Sequence, residues 1–124
     1  MVRAILLILF SAVFSMPAYA QSTPIALPEI SIVPKDGMLE ISGRVIGLGS
    51  GTINATLSIE KSDTAGRLST SQGREMTVIR GSNEVVSQSS ISAQPDLILT
   101  VKLTLMNQDA IIGLATTELG HTSK

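Results

Sequence analysis

Apolar residues recur at every second position in several short segments of this chain, and this alternation restricts the folds open to it. In the clearest run, Ile53, Ala55, Leu57 and Ile59 alternate with polar side chains. Successive side chains of a β-strand point to opposite faces, so the run predicts a strand with one buried face. No segment keeps the helical period over ten or more residues, a length typical of helices. The chain is therefore predicted to be all-β.

Further segments with the same character are predicted to be strands, separated by stretches rich in Pro, Gly, Asn and Ser, the usual turn residues. They span residues 29–33, 39–45, 74–79, 84–91, 97–106 and 110–117. Seven short strands with turns at this spacing indicate an antiparallel β-sandwich of the immunoglobulin type, and a small barrel is the alternative. The polar stretch 61–73 is interpreted as a flexible loop between two strands.

The first twenty residues have the layout of a secretory signal peptide. Arg3 precedes an apolar stretch over residues 4–14, Pro17 follows, and residues 18–20 form an Ala-x-Ala cleavage site. A single transmembrane anchor is the alternative, but the apolar stretch is shorter than the roughly 20 residues of a spanning helix. Cleavage after Ala20 predicts export to a bacterial periplasm, or through a eukaryotic secretory route, with no membrane segment in the mature protein.

Cleavage would leave a lead-in at 21–28, an immunoglobulin-like domain at 29–119 and a polar tail at 120–124. Of the 124 residues, 104 remain, and eight basic residues stand against ten acidic ones, a net charge of −2. The balance argues against a nucleic-acid binder, which usually shows a basic patch. All three aromatic residues lie in the signal peptide, so the mature domain has no stacking platform for sugars.

The sequence contains no recognisable set of catalytic or metal-binding groups. There is no cysteine, which rules out disulfides and thiol chemistry, and the only histidine, His121, lies in the tail. The acidic residues are scattered singly, whereas acid–base catalysis needs two brought together. The glycine-rich run 47–51 lacks the Lys-Ser/Thr pair of a phosphate loop. We therefore predict a protein that is not an enzyme and needs no cofactor or metal.

Residues 97–106, LILTVKLTLM, combine high β propensity with low charge. Such a segment promotes aggregation if it is exposed. Pro95, Asp96 and Lys102 are placed as gatekeepers against this. We predict that the segment is a central, buried strand.

The predicted strand that contains Leu57 ends in Glu60-Lys61-Ser62, and Ala65-Gly66 and then Ser69-Thr70-Ser71-Gln72-Gly73 follow it. With these motifs, residues 50–73 resemble the CsgH family of curli assembly proteins. That family has a strand ending in a Glu/Arg-Lys-Ser triplet, a glycine-containing loop and then Ser-Thr-Ser-Gln-Gly, and the strand at 39–47 also fits. The residues of the motif loop are Lys61, Ser62, Gly66, Ser69, Thr70, Ser71, Gln72 and Gly73. The resemblance extends more loosely over residues 29–117.

The resemblance implies a soluble periplasmic protein with a seven-stranded immunoglobulin-like sandwich. It implies a chaperone-like role in curli biogenesis, in which the protein keeps the major amyloid subunit from polymerising before secretion. That subunit is the expected partner, and the protein is expected to be monomeric. Some CsgC-type proteins carry a Cys-x-Cys motif linked to redox activity, and this chain has no cysteine to support it.

An inhibitor of this kind could pair one of its edge strands with a strand of the amyloid precursor, while nearby charges steer a weak, transient encounter. The candidate partner-binding residues are the basic ones in or near the first four predicted strands: Arg44, Lys61, Arg67, Arg74 and Arg80. A structural or adhesin-associated sandwich domain of a surface fibre is the alternative function. A curli subunit itself should show repeats rich in Gln, Asn and Gly, and this sequence has none.

Overall fold

The computed structural model describes residues 24–120. The predicted signal peptide and His121 lie outside the described residues. Within that range the chain forms strands and turns without a helix. The seven strands are β1 Ala26–Lys35, β2 Met38–Gly47, β3 Gly51–Asp63, β4 Gly66–Val78, β5 Asn83–Ser92, β6 Ile98–Asn107 and β7 Ala110–Leu119.

The strands form two antiparallel sheets, which confirms the predicted sandwich. One sheet, here sheet A, has the order β1-β2-β5, and the other, sheet B, has the order β4-β3-β6-β7. In constant-type immunoglobulin domains the fourth strand pairs in the sheet of the first, second and fifth. Here β4 instead pairs with β3 along its whole length. The edges β4 and β5 therefore lie side by side, one in each sheet.

The core lies between the sheets and is built from alternate residues of the strands. In β6, Leu99, Val101, Leu103 and Leu105 are fully buried, and the strand lies between β3 and β7. This confirms the prediction that residues 97–106 form a central, buried strand. Over residues 24–120 no polar or charged residue is buried as a whole. Burying a Leu, Ile or Val side chain contributes about 1.5–3 kcal/mol. Aliphatic packing can therefore hold this fold together without disulfides.

The interpretation of residues 61–73 as a flexible loop was wrong. β3 continues to Asp63, β4 starts at Gly66, and the two strands pair without interruption as a hairpin with a two-residue turn. The alternation of apolar residues fails here because most of β4 has no opposing sheet to cover it, so its inner face need not be apolar. Serine and threonine then serve as strand residues at a solvated edge.

The lead-in is also shorter than predicted. β1 starts at Ala26, whose side chain is buried and which pairs with Gly47. The start of β1 at Ala26 was not predicted because Pro28 follows, and proline cannot donate a hydrogen bond to a sheet. It is tolerated here because β1 is an edge strand.

Candidate functional site

The hairpin arm of β4 is the most exposed segment among the strands at residues 24–120. Residues 66–75 are exposed, with Thr70 half-buried, before Met76 and Val78 enter the core. β4 is an edge of sheet B, so its backbone groups on the side away from β3 have no strand partner. A large, accessible strand edge is therefore present where the sequence resemblance lies.

Three of the predicted basic residues lie along this edge. Arg67 and Arg74 belong to β4, and Arg80 follows in the turn before β5. At 3.3 Å per residue, Arg67 and Arg74 are about 23 Å apart along the strand. Arg67 pairs with Ser62 on the outer face, whereas Arg74 pairs with the buried Ala55 and so faces β5. The structure thus makes a spaced row of cations, not a compact cluster.

Arg74 connects the two edges that lie side by side. Its guanidinium donates to the Val85 carbonyl and lies 3.8 Å from a carboxylate oxygen of Glu84. Nearby, the Ser87 hydroxyl donates to the side-chain carbonyl of Gln72. The Arg74 and Glu84 side chains are each about half exposed, so their ion pair contributes little to stability. These polar contacts join β4 to β5, and thus sheet B to sheet A, in a region where β4 does not contribute to the apolar core.

Lys61 lies apart from this row. It is on the inner face of β3, its side chain is only 12% exposed, and its ammonium lies 2.9 Å from Oδ2 of Asp63. The Ala65 amide donates to the other carboxylate oxygen of Asp63. The hydrogen bond from Lys61 lowers the pKa of the Asp63 carboxyl below its ordinary value, and the Ala65 hydrogen bond adds to this. That this cation closes the turn of its own hairpin was not predicted.

Arg44 is on the other sheet. It lies on the outer face of β2, between Glu29 of β1 and Val85 of β5, and it donates to the Asn83 side chain over 3.0 Å. The five predicted basic residues are therefore not one site. Arg67, Arg74 and Arg80 follow the β4 edge, Lys61 fixes a turn, and Arg44 belongs to sheet A.

The motif residues all fall in the β3–β4 hairpin. Ser71 bonds the hydroxyl of Ser58 across the strands at 3.3 Å, and Gly66 has a positive φ of 131° where β4 begins. A shallow cavity of about 140 Å³ lies next to this pair on the outer face of sheet B, and its lining includes Glu60 and Lys102. The motif thus specifies a hairpin with a hydroxyl-rich surface.

The described range, 24–120, has no group of three His, Asp or Glu side chains placed to hold a metal ion. It also has no helix long and apolar enough to cross a membrane.

The exposed apolar side chains on the outer face of β7 were not predicted from the sequence. Ile111 is 62% exposed and Leu114 is 56% exposed, on a strand at the other edge of sheet B. Residues 110–117 were correctly predicted as a strand. However, the irregularity in the β6–β7 register falls between Ile111 and Gly113, so the simple two-residue period does not show which residues face outward.

The fold defines this chain as a small, two-sheet antiparallel sandwich, and solved structures share it. The solution structure of R. palustris CsgH is similar, with 15% identity, a TM-score of 0.60 and coverage of 77% of this chain and 91% of that one. The E. coli curli protein CsgC matches with 12% identity, a TM-score of 0.66 and coverage of 73% and 96%. At these identities the similarity concerns the fold.

The same sandwich also occurs inside larger enzymes. A Bacteroides uniformis beta-glucuronidase matches at a TM-score of 0.53 and 15% identity, but only 14% of that chain is covered. A shared fold does not carry an activity with it. No protein-family model matches the sequence, and a search of curated proteins also found no match.

Proposed function

We propose that this protein is a periplasmic, chaperone-like inhibitor of curli subunit polymerisation that acts by weak, transient contacts. The observation that carries the proposal is structural similarity over nearly the whole length of two small proteins, one of them named as a curli protein. The alignment spans 91% of CsgH and 96% of CsgC, so the sandwich is nearly the entire molecule in each case. The resemblance of the motif at 61–73, described in the sequence analysis, agrees with this proposal.

The proposed partner is the major curli subunit before it forms fibres. An amyloid precursor exposes strands whose backbone groups are unpaired, and the sandwich offers edges that can pair with them. The cations of the β4 edge, Arg67, Arg74 and Arg80, would steer this encounter, and steering raises association rates more than affinity. Arg44 and Lys61 have the side-chain partners described above, so we assign them a smaller part in the encounter.

The same proposal places the mature protein, after cleavage at Ala20, in the periplasm as a monomer without cofactor, metal or nucleic acid. Two features support the location: the predicted signal peptide and the similarity to CsgC. An inhibitor that works at low occupancy needs neither catalytic groups nor a deep pocket. Exposed edges and charges on a stable sandwich are sufficient.

The test is polymerisation of purified curli major subunit, followed by thioflavin fluorescence. The mature protein, added at far less than one molecule per subunit, should lengthen the lag phase several-fold. A periplasmic sandwich protein of similar size and charge serves as the control and should leave the lag unchanged. An unchanged lag with this protein would reject the proposed function.

A further inference from the structure

The sandwich has four edge strands, and they differ in how well their backbones are protected. The sheet orders place β1 and β5 at the edges of sheet A, and β4 and β7 at the edges of sheet B. An edge strand offers unpaired N–H and C=O groups to any extended chain. Natural proteins block such edges with charges, prolines, bulges or a covering group.

Three of the four edges carry charges, prolines or a covering group. β1 contains Pro28 and Pro34 and ends in Lys35. β4 carries Arg67 and Arg74. On β5, the Arg74 guanidinium occupies the Val85 carbonyl, so part of the β5 edge is covered from the neighbouring sheet.

Among the described strands, the edge of β7 is protected least, since a bulge at Ile112 and Glu118 near the end of the strand are its only features of this kind. From Ala110 to Thr117 it has neither a charged residue nor a proline. Its pairing places Ile111 beside Met106 and Leu114 beside Thr104, so Ile111 and Leu114 share the outer face of sheet B. Both are more than half exposed. A strand edge with no hydrogen-bonded neighbour therefore coincides with two exposed apolar side chains.

We propose that the β7 edge is where the client binds, by adding an extended, uncharged segment as a fifth strand of sheet B. This inference rests on the proposed function and names the surface that performs it. Main-chain hydrogen bonds would supply the affinity, and the side chains beside them the selectivity. Ile111 and Leu114 would favour apolar or small neutral side chains at alternate positions and would exclude charged ones.

The bulge in β7 favours an unfolded client over a second copy of this chain. The register shifts between Met106–Ile111 and Leu105–Gly113, so Ile112 is an extra residue that bends the strand. A two-fold contact between two β7 edges would bring two such bends together on rigid domains. A flexible chain can adjust its register around a single bend. The client's strand would then be capped on one side by a folded sandwich, which stops fibre growth from that side.

The experiment compares two variants that each introduce a lysine at an exposed apolar position, on different edges. Leu114→Lys puts a charge on the β7 edge, and Val33→Lys does so at an exposed apolar position of β1, where Val33 is 47% exposed. In the thioflavin assay, Leu114→Lys should weaken inhibition roughly fivefold, because an apolar cross-strand pair is replaced by a charge in a strand contact. Val33→Lys should inhibit like wild type. Thermal unfolding of each variant shows whether its fold is intact.

The outcomes separate this inference from the proposed function. If wild type lengthens the lag and Leu114→Lys does so equally well, the β7 assignment is wrong and the function stands. If wild type itself has no effect, both fall. Sedimentation velocity of wild type and of Leu114→Lys measures whether the protein forms a dimer through β7. A dimer that Leu114→Lys dissociates, with inhibition retained or improved, would assign β7 to self-association and overturn the inference.

A second measurement locates the contact directly. Freshly prepared, monomeric curli major subunit is added to the isotope-labelled protein, and amide signals are followed by NMR. Signal loss should centre on residues 110–119 and spare β1. Loss centred on β4 or β1 would overturn the assignment.

Discussion

Gly47 is the glycine at which the fold tolerates an added side chain least. Its amide donates to the Ser82 carbonyl over 2.8 Å, and its carbonyl accepts from the Gly81 amide over 2.9 Å. These bonds join the end of β2 to the turn between β4 and β5. A β-carbon at Gly47 would overlap the Ile79 carbonyl oxygen, which is backbone and cannot rotate away. Glycine is therefore required by the close approach of two chain segments.

We expect Gly47→Ala to lower the free energy of unfolding by about 3 kcal/mol, because the turn must move and its two hydrogen bonds weaken. Urea denaturation measures this. Gly73→Ala is the matched control, since a β-carbon there would lie an ordinary 3.4 Å from the Thr56 hydroxyl. It should change stability by no more than about 0.5 kcal/mol. Equal effects of the two substitutions would contradict the proposed clash.

The Asp63 carboxylate makes the β3–β4 turn sensitive to acid. Its pKa is lower in the folded protein than the ordinary value of 3.8, chiefly because Lys61 hydrogen-bonds to it. A group with a lowered folded pKa contributes stability above its unfolded pKa and loses that contribution as the pH falls through the folded pKa.

Wild type should therefore lose more of its Tm than Asp63→Asn when the pH is lowered from about 6 to about 2. The asparagine keeps an oxygen that can accept from the Ala65 amide, so the comparison isolates the charge. Thermal melts followed by circular dichroism at several pH values provide the measurement. Parallel Tm curves for the two proteins would show that the ion pair does not stabilise the turn.

Among the elements, the β6–β7 hairpin has the least suitable turn. Gln108 and Asp109 both have a positive φ, 51° and 67°. This is the geometry of a type I′ turn, which suits Asn-Gly or Asp-Gly. The β1–β2 turn, by contrast, uses Asp36 and Gly37 for the same two positions. The last hairpin thus folds around a turn with no glycine.

Changing Gln108→Asn together with Asp109→Gly should raise the free energy of unfolding by about 1 kcal/mol, since both new residues accept a positive φ at lower cost. The midpoint of urea denaturation gives the value. Ala65→Gly in the β3–β4 turn is the control, because Ala65 does not have a positive φ and glycine there gains nothing. A gain with Ala65→Gly, or none at 108 and 109, would contradict this reading of the turn.

Elements differ in how well the sequence predicted them, and burial explains the difference. β3 and β6 lie inside sheet B, pack one face on the core and show the alternation clearly. β4 packs only its last residues, so its sequence was mistaken for a loop. The positions of the basic residues were known, but not their partners. Arg44 binds Asn83 because of the register between β2 and β5, which composition does not reveal. Lys61 and Asp63 share a face because they lie two residues apart on β3, and this pairing was not predicted because the segment was interpreted as a loop.

In the whole molecule, the cations of β4 and the apolar side chains of β7 lie at opposite edges of sheet B. The order β4-β3-β6-β7 separates the cations of β4 from the edge of β7 by two strands. With neighbouring strands 4.7–4.9 Å apart, this separation is about 14 Å, comparable with the Debye length of about 10 Å at 0.1 M salt. A client drawn toward β4 is therefore already within reach of β7. Steering and capture can be divided between the two edges of sheet B.

Replacing Arg67, Arg74 and Arg80 together by serine should therefore shorten the lag that the protein imposes on curli subunit, most strongly at low salt. The difference from wild type should shrink as salt is added, because screening removes the steering that both edges depend on. Since Arg74 also holds the Val85 carbonyl, the assay is run well below the Tm of the variant. The thioflavin lag is measured over a series of salt concentrations.

The matched control makes the same change in net charge on sheet A, through Lys35→Ser, Ser31→Asp and Ser90→Asp. If steering depends on the position of the cations, this control should inhibit nearly as well as wild type at every salt concentration. If instead the two variants lose inhibition equally, only net charge matters, and the row along β4 has no special part. If neither loses inhibition at low salt, the encounter does not depend on charge, and capture at a strand edge alone must account for the activity.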